Sequence, residues 1–469
     1  MTSVLKYRVA ACALAAALSL TAGTAQAADL GGDCCADLEE RIAELEATTA
    51  RKGNRKVSLE VSGHVNEAIL WWDDGEESNV GTYTNDDART RFRFKGEAKI
   101  DADWKAGYLI EIGVRSSNSK RFTQDDDNGE GAGALDLRHS VWYLDSKKLG
   151  RVWVGLTGGA GESVTETNLA ATKDIAKYSD IEDIGLGLNM RFNGAISATS
   201  WRRLLRDGGD QPGEGRRFNM VRYDTPEFAG FTGTANFGED DTWEVGARYK
   251  GALAGFKLAA AVAYGENNDT NGTVVAGPTG NSFAAAQTGF QCPGNEWNSA
   301  TPSPAAVMDG CHQVGGSISV MHEETGVYFN LAGGRLTDDN IANDPGIPVA
   351  TRPFIDDEHD FYAGEIGIER KWMSLGKTTL FAQYFKNEGG TLDRGFSATG
   401  TPGTGDIVSS TLESYGIGVV QGIDAAAMHL YLTYRHYEAD ITRADGAGGL
   451  VNFDADDLDV VMGGAIIRF

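Results

Sequence analysis

Basic residues are scarce in this chain of 469 residues: 42 Lys and Arg stand against 67 Asp and Glu, a net charge of −25. That balance excludes a nucleic-acid partner, which calls for a basic surface. Long hydrophobic runs are also missing. Beyond residue 27 no stretch approaches the roughly 20 apolar residues that a membrane-spanning helix requires, and hydrophobic residues make up only 41% of the chain. Histidine is sparse. The seven (His64, His139, His312, His322, His359, His429, His436) show no spacing that signals a Ser–His pair or a metal site. Gly-x-Ser-x-Gly, a phosphate loop and Cys-x-x-Cys are all absent, so neither catalysis, a cofactor nor a metal is expected. Of five cysteines, Cys12 falls in the first 27 residues, and Cys34 and Cys35 are adjacent with no evident mechanism. Cys292 and Cys311 form an isolated pair in a loop-like stretch of an exported chain, for which a disulfide is the expectation.

What is present begins with an export signal. Lys6 and Arg8 form its charged start, Val9–Leu20 its apolar core, and Ala25-Gln26-Ala27 its small-x-small cleavage pattern. Residues 1–27 are therefore expected to be removed, which takes two bases and no acid and leaves a net charge of −27. Residues 28–55 are expected to form an N-terminal arm. Within it, Leu38, Ile42 and Leu45 make an apolar seam among Glu39, Glu40, Glu44 and Glu46, predicting a short helix over 36–52.

From residue 56 the period changes to two. Phe92, Phe94, Gly96, Ala98 and Ile100 alternate with Arg91, Arg93, Lys95, Glu97 and Lys99. Trp104, Ala106, Tyr108, Ile110, Ile112 and Val114 form the next apolar row. Strict alternation marks strands with one apolar and one wet face. Sixteen such segments follow, separated alternately by tight turns and by long polar loops near 74–87, 118–133, 158–215, 266–313, 337–357, 388–410 and 439–453; 238–241 is a short connection on the long side. An even number of strands with short turns on one rim and long loops on the other predicts an all-β, 16-stranded antiparallel transmembrane barrel over 56–469, its short turns periplasmic and its long loops extracellular. The apolar rows then meet outer-membrane lipid, and closure follows because an open sheet edge in hydrocarbon leaves unpaired N–H and C=O groups. Trp71, Trp72, Trp104, Trp142, Tyr143, Tyr223, Tyr362, Trp372, Tyr384, Tyr431 and Tyr437 cluster near strand ends in the manner of interfacial girdles. The last strand alternates to a terminal Phe469, which resembles the signal read by the barrel assembly machinery.

Several segments resemble one family. Cys35–Ile42 with Ser62-Gly63-His64-Val65-Asn66, Gly150-Arg151-Val152-Trp153-Val154-Gly155, Val221–Gly230 and the final Arg468-Phe469 are similar to outer-membrane general porins of the alphaproteobacterial, Rhizobiales type. The resemblance implies a homotrimer of 16-stranded barrels in the outer membrane. Each barrel would be a passive pore for small hydrophilic solutes and ions, narrowed by its third loop. The third and fifth loops differ in length from the family pattern.

A diffusion pore needs a wet lumen, a constriction and a field across it, and 16 strands leave room for an aqueous channel. The connection 158–215, after the fifth strand, carries Glu162, Glu166, Asp174, Asp180, Glu182 and Asp183. The strands before it offer Arg91, Arg93, Lys95, Arg138 and Arg151 on polar faces, with Arg216 and Arg222 beyond. A basic wall opposed by an acidic loop would set up a transverse field. The alternative for the basic row is a solvated strand face without a role in selectivity. At the level of function, a substrate-specific channel and a plugged structural or adhesin barrel are the alternatives.

Overall fold

The structure, a computed structural model, describes residues 56–114, 117–126, 135–205, 211–238, 242–268, 310–338, 352–389, 407–444 and 449–469. The chain divides into two units, Met1–Arg55 and Lys56–Phe469, and the described residues all belong to the second. The expected signal, the helix over 36–52, Cys34, Cys35 and Cys292 lie outside the described residues.

The strands are β1 (Glu60–Asp73), β2 (Ser78–Thr84), β3 (Arg91–Lys99), β4 (Trp104–Val114), β5 (Leu135–Ser146), β6 (Gly150–Gly158), β7 (Asn189–Phe192), β8 (Ala195–Ser200), β9 (Arg217–Asp224), β10 (Phe231–Gly238), β11 (Thr242–Leu253), β12 (Phe256–Asn267), β13 (Cys311–His322), β14 (Val327–Asp338), β15 (Glu358–Met373), β16 (Gly376–Gly389), β17 (Ile407–Ile423), β18 (Met428–Ala444), β19 (Leu450–Asp454) and β20 (Leu458–Arg468). β7 and β8 form a separate hairpin; the other 18 segments form one sheet. β2 and β3 lie end to end along one flank of β1, and β19 and β20 lie end to end along β18. Each pair acts as one interrupted strand, which gives a sixteen-stranded antiparallel barrel. β1 closes it on β20, in register from His64↔Arg468 to Asp73↔Asp459.

Two predicted loops are thereby corrected. Residues 78–84 of the stretch 74–87 are strand, and so are much of 439–444 and 450–454. Both extend hairpins above the rim, where polar side chains hide a period of two. The seven predicted turns all lie on the rim shared by the two ends of the sheet. One two-residue turn is Ala254-Gly255, with φ of 50° and 83° between the paired Leu253 and Phe256. Two successive left-handed residues match the strand twist of a two-residue hairpin.

The expected facing holds for the apolar rows. Val61, Val65, Ile69, Ile110, Leu144, Val245, Ile417 and Ile467 point outward and are exposed. The girdle reading is corrected in part. Trp71, Trp142, Tyr223, Tyr362 and Trp372 do face out, but Trp72, Tyr143, Tyr431 and Tyr437 are buried inside the barrel. For Trp72, Tyr431 and Tyr437 the reason is tertiary, because a long segment packs on that part of the inner wall; Tyr143 is covered instead by Trp153 and Arg151 and donates its hydroxyl to Glu97.

That segment, 159–216, joins β6 to β9 and folds back into the barrel. Its backbone and side chains bond inward-facing groups around the wall. Gly161 N–H donates to Glu244 on β11 at 3.1 Å. The Leu169 and Ala171 amides donate to Ser319 on β13 and Glu369 on β15. Thr172 donates to Glu365 on β15 at 2.8 Å, and Gln383 on β16 donates to the Ala176 carbonyl. Arg435 and Tyr437 on β18 donate to the Ile181 carbonyl. Ile175, Ile181, Ile184, Leu186, Leu188, Trp201 and Leu204 pack into an apolar core with Leu70, Phe381, Leu412, Tyr437 and Met462 of the wall. The hairpin β7–β8 is pinned near the loop rim, where Arg191 Nε lies 2.7 Å from Asp74 and Gly194 N–H donates to Asp456.

Candidate functional site

The segment leaves the inner faces of β3 to β6 without this apolar cover, and here the predicted basic residues gather. Arg93 on β3 stands directly across from Glu111 on β4. Arg93 Nε donates to Glu111 at 2.8 Å, Arg138 Nε donates at 2.8 Å, and Arg91 Nη1 lies 3.4 Å away. Three guanidinium groups thus converge on one carboxylate with 0% exposure. A bulge brings the third. Glu111 pairs with His139 and Ile112 with Leu137, so Arg138 is skipped in the ladder and turned inward beside His139. Gly113 makes room: a Cβ there would approach Arg138 Cδ to 3.0 Å and Arg89 Cδ to 3.2 Å. Arg89 in turn bridges Asp86 at 3.0 Å and Asp136 at 3.1 Å.

The other predicted bases lie farther along the wall. Lys95 is exposed, one inward step toward the turn rim. Arg151 sits near that rim, 2.9 Å from Asp145, with its guanidinium over the rings of Tyr143 and Trp153 at 4.8 and 5.0 Å. Arg222 faces in, on Asp224 at 2.9 Å. The deeply buried Phe218 and Met220 share its parity because they meet packed protein rather than water.

Each predicted acid of the segment has a base or a backbone partner. Glu162 pairs with Arg217. Burial works against its ionisation, but Arg217, His139 and Arg138 hold its carboxyl down to about 2. Glu166 and Asp180 share Lys177, at 2.9 and 2.7 Å. Burial and the neighbouring Asp180 push Glu166 up to about 8. Asp180 is buried too, yet Lys177, Glu166 and Gln211 keep it below the ordinary range. Asp174 pairs with Arg468 of β20 at 2.7 Å and acts electrostatically on Arg91. Glu182 and Asp183 lie on Lys120 at 3.1 and 3.3 Å. Burial lifts Asp183 to about 6 in spite of Lys120, with Asp86 and Asp180 adding to the rise. Asp180, Glu182 and Asp183 bring carboxylate oxygens within 4.8 Å of one another. The lysines already on them make this a neutralised anchor of the segment rather than a cation cage.

Sequence reasoning missed Glu111, Arg138's bulge, Arg217, and the wall residues Glu244, Glu365 and Arg435 that hold the segment. Glu111 stands in the sequence as an acid on the wet side of the row Tyr108 to Val114, but nothing local shows which cations it meets. Cys311 is disulfide-bonded; its predicted partner Cys292 lies outside the described residues, as does most of the fifth loop.

A family model described as Gram-negative porin matches residues 11–459. No curated protein matches the chain. Among solved structures, OmpT of Vibrio cholerae is 11% identical, with 89% of this chain and 99% of that one covered, at a TM-score of 0.49. An anion-selective porin from Comamonas acidovorans is 14% identical, covers 88% and 100%, and gives 0.49. The outer membrane channel DcaP of Acinetobacter baumannii is 11% identical, covers 89% and 99%, and gives 0.45.

Proposed function

The chain belongs to the Gram-negative porin family, and from that premise we propose that this outer-membrane channel is a passive diffusion pore for small hydrophilic solutes and ions. The segment 159–216 is its constricting element, and the arginine-lined faces of β3 to β6 are its wetted wall. The observation that carries this is the one-sided packing of the segment. It covers the inner faces from β11 round through β20 to β1 and leaves Arg93 and Lys95 of β3 exposed. Translocation needs no bond chemistry, so the protein acts without catalysis or cofactor. Solutes pass because the uncovered wall keeps water ordered by charge, and apolar solutes are penalised for displacing that water.

We further assign the chain to the alphaproteobacterial, Rhizobiales-type branch, exported through residues 1–27 and delivered by the barrel assembly machinery through the alternating strand that carries Phe469. It functions as a homotrimer. Glu67 supports self-association: it is exposed in the outward row with Val65 and Ile69, accepting hydrogen bonds from Thr84 at 3.0 Å and Thr90 at 2.9 Å. A carboxylate in a lipid-facing row is unfavourable, and a neighbouring copy would shield it.

The apolar seal over half the wall also favours a second reading, a fully plugged barrel. Planar-bilayer recording of the purified protein decides between them. Stepwise conductance, with swelling of liposomes in small sugars, is the expected result. Folded barrels that insert without conductance would establish the plug.

A further inference from the structure

We propose that the favoured passengers of this pore are small anions, that Arg93 is the group they meet, and that Glu111 is a positioning residue for the arginine cluster; this rests on the channel reading above. An overall charge of −25 points the other way, but selectivity is set locally. At 0.1 M salt, charges more than about 10 Å away are largely screened, and the groups lining the narrow stretch decide.

On the uncovered wall and the segment end beside it stand Arg89, Arg91, Arg93, Lys95, Arg138 and Arg217. The acids among them are Asp86, Glu97, Glu111, Asp136 and Glu162, and Glu97 brings Lys105 with it. Seven bases thus meet five acids. The opposing segment does not redress the balance. Glu166 and Asp180 face buried Lys177, Glu182 and Asp183 face Lys120, and Asp174 faces Arg468. The wall acids Glu244 and Glu365 accept hydrogen bonds from the segment itself. Of the acids that a sequence reading sets against the basic wall, Glu166, Asp180, Glu182 and Asp183 are turned into the packed side, while Glu162 and the part-exposed Asp174 are matched by Arg217 and Arg468, so bases remain in excess on the open side.

Within the cluster, Glu111 is out of reach of solvent, and Arg138 is 7% exposed at its side chain, but Arg93 is 44% exposed. Glu111 accepts from both Nε and Nη2 of Arg93. The side chain is still part exposed, which leaves Nη1 as the donor for a chloride or a carboxylate. Glu111 serves to hold three like charges together that would otherwise splay apart.

The test is the reversal potential of the purified channel in potassium chloride and potassium acetate gradients, with heat-modifiable gel mobility as the check that each variant is folded. Chloride and acetate should both permeate in preference to potassium. Arg93→Gln should lower the chloride-to-potassium permeability ratio at least ~2-fold, the direction set by loss of one of the few unscreened charges. Glu111→Gln should raise that ratio, a change of sign that a purely structural role would not produce. Potassium preference in the parent channel, or an unchanged ratio in folded Arg93→Gln channels, overturns the proposal and leaves the channel reading intact. Absence of any conductance overturns both.

Discussion

Ile184→Asp should open the pore, whereas Tyr437→Phe should leave it nearly unchanged. Tyr437 donates its hydroxyl to the Ile184 carbonyl at 2.6 Å and lies 3.2 Å from that of Ile181. Removing one neutral hydroxyl forfeits roughly 1 kcal/mol. Ile184 has 0% exposure within the apolar core formed with the wall. Its side chain contributes about 1.5–3 kcal/mol by burial. An aspartate there loses that term and adds a charge to a dry site beside Asp183, which costs several kcal/mol more unless the group takes up a proton. Five neighbours, Ile175, Ile181, Leu186, Leu188 and Leu204, are buried to a similar degree, so the segment retains part of its hold and should detach over 175–205 rather than leave the barrel. Single-channel conductance and the size cut-off for polyethylene glycols read the result. The aspartate variant should show a larger conductance and cut-off. If folded Ile184→Asp channels match the parent, the segment does not limit the pore. If Tyr437→Phe changes conductance as much, hydrogen bonds rather than apolar burial hold it in place.

Other outcomes follow from the same structure. Glu166 titrates at about 8 in the folded chain, above its value of about 4.3 in an unfolded one. Its contribution to segment stability is therefore fully present below about pH 4 and is lost as pH rises through about 8; open-channel noise should grow across that upper value in the parent and stay flat in Glu166→Gln. Glu67→Lys should weaken the trimer in semi-native gels while leaving the monomer folded, and an unaltered trimer would place the self-contact on another face. Gly255→Val should destabilise the β11–β12 turn by about 1–2 kcal/mol, because a β-branched residue resists the φ of 83°; a matching fall in urea midpoint checks it, and a midpoint equal to the parent's would show that the turn conformation carries no such strain.

The barrel was legible from residues alone. The rows Phe92 to Ile100 and Trp104 to Val114 alternate because one face meets an apolar phase and the other a polar one, and that demand acts on every strand locally. Sixteen segments, their turns and their long loops follow from the same period. The basic row Arg91, Arg93 and Lys95 was equally plain, since parity alone places it inside. What parity cannot express is a second apolar environment within the barrel. Leu70, Trp72, Tyr431 and Tyr437 point inward because 175–205 packs on them, a contact between residues far apart in the chain. Nor does composition reveal pairing. That Lys177 and Lys120 absorb the loop acids while Glu111 gathers three arginines depends on the bulge at Arg138 and on the path of the segment. Charge of either sign is written in the sequence, but which charges remain facing water is decided only when the chain folds, because burial and distance set the strength of each interaction.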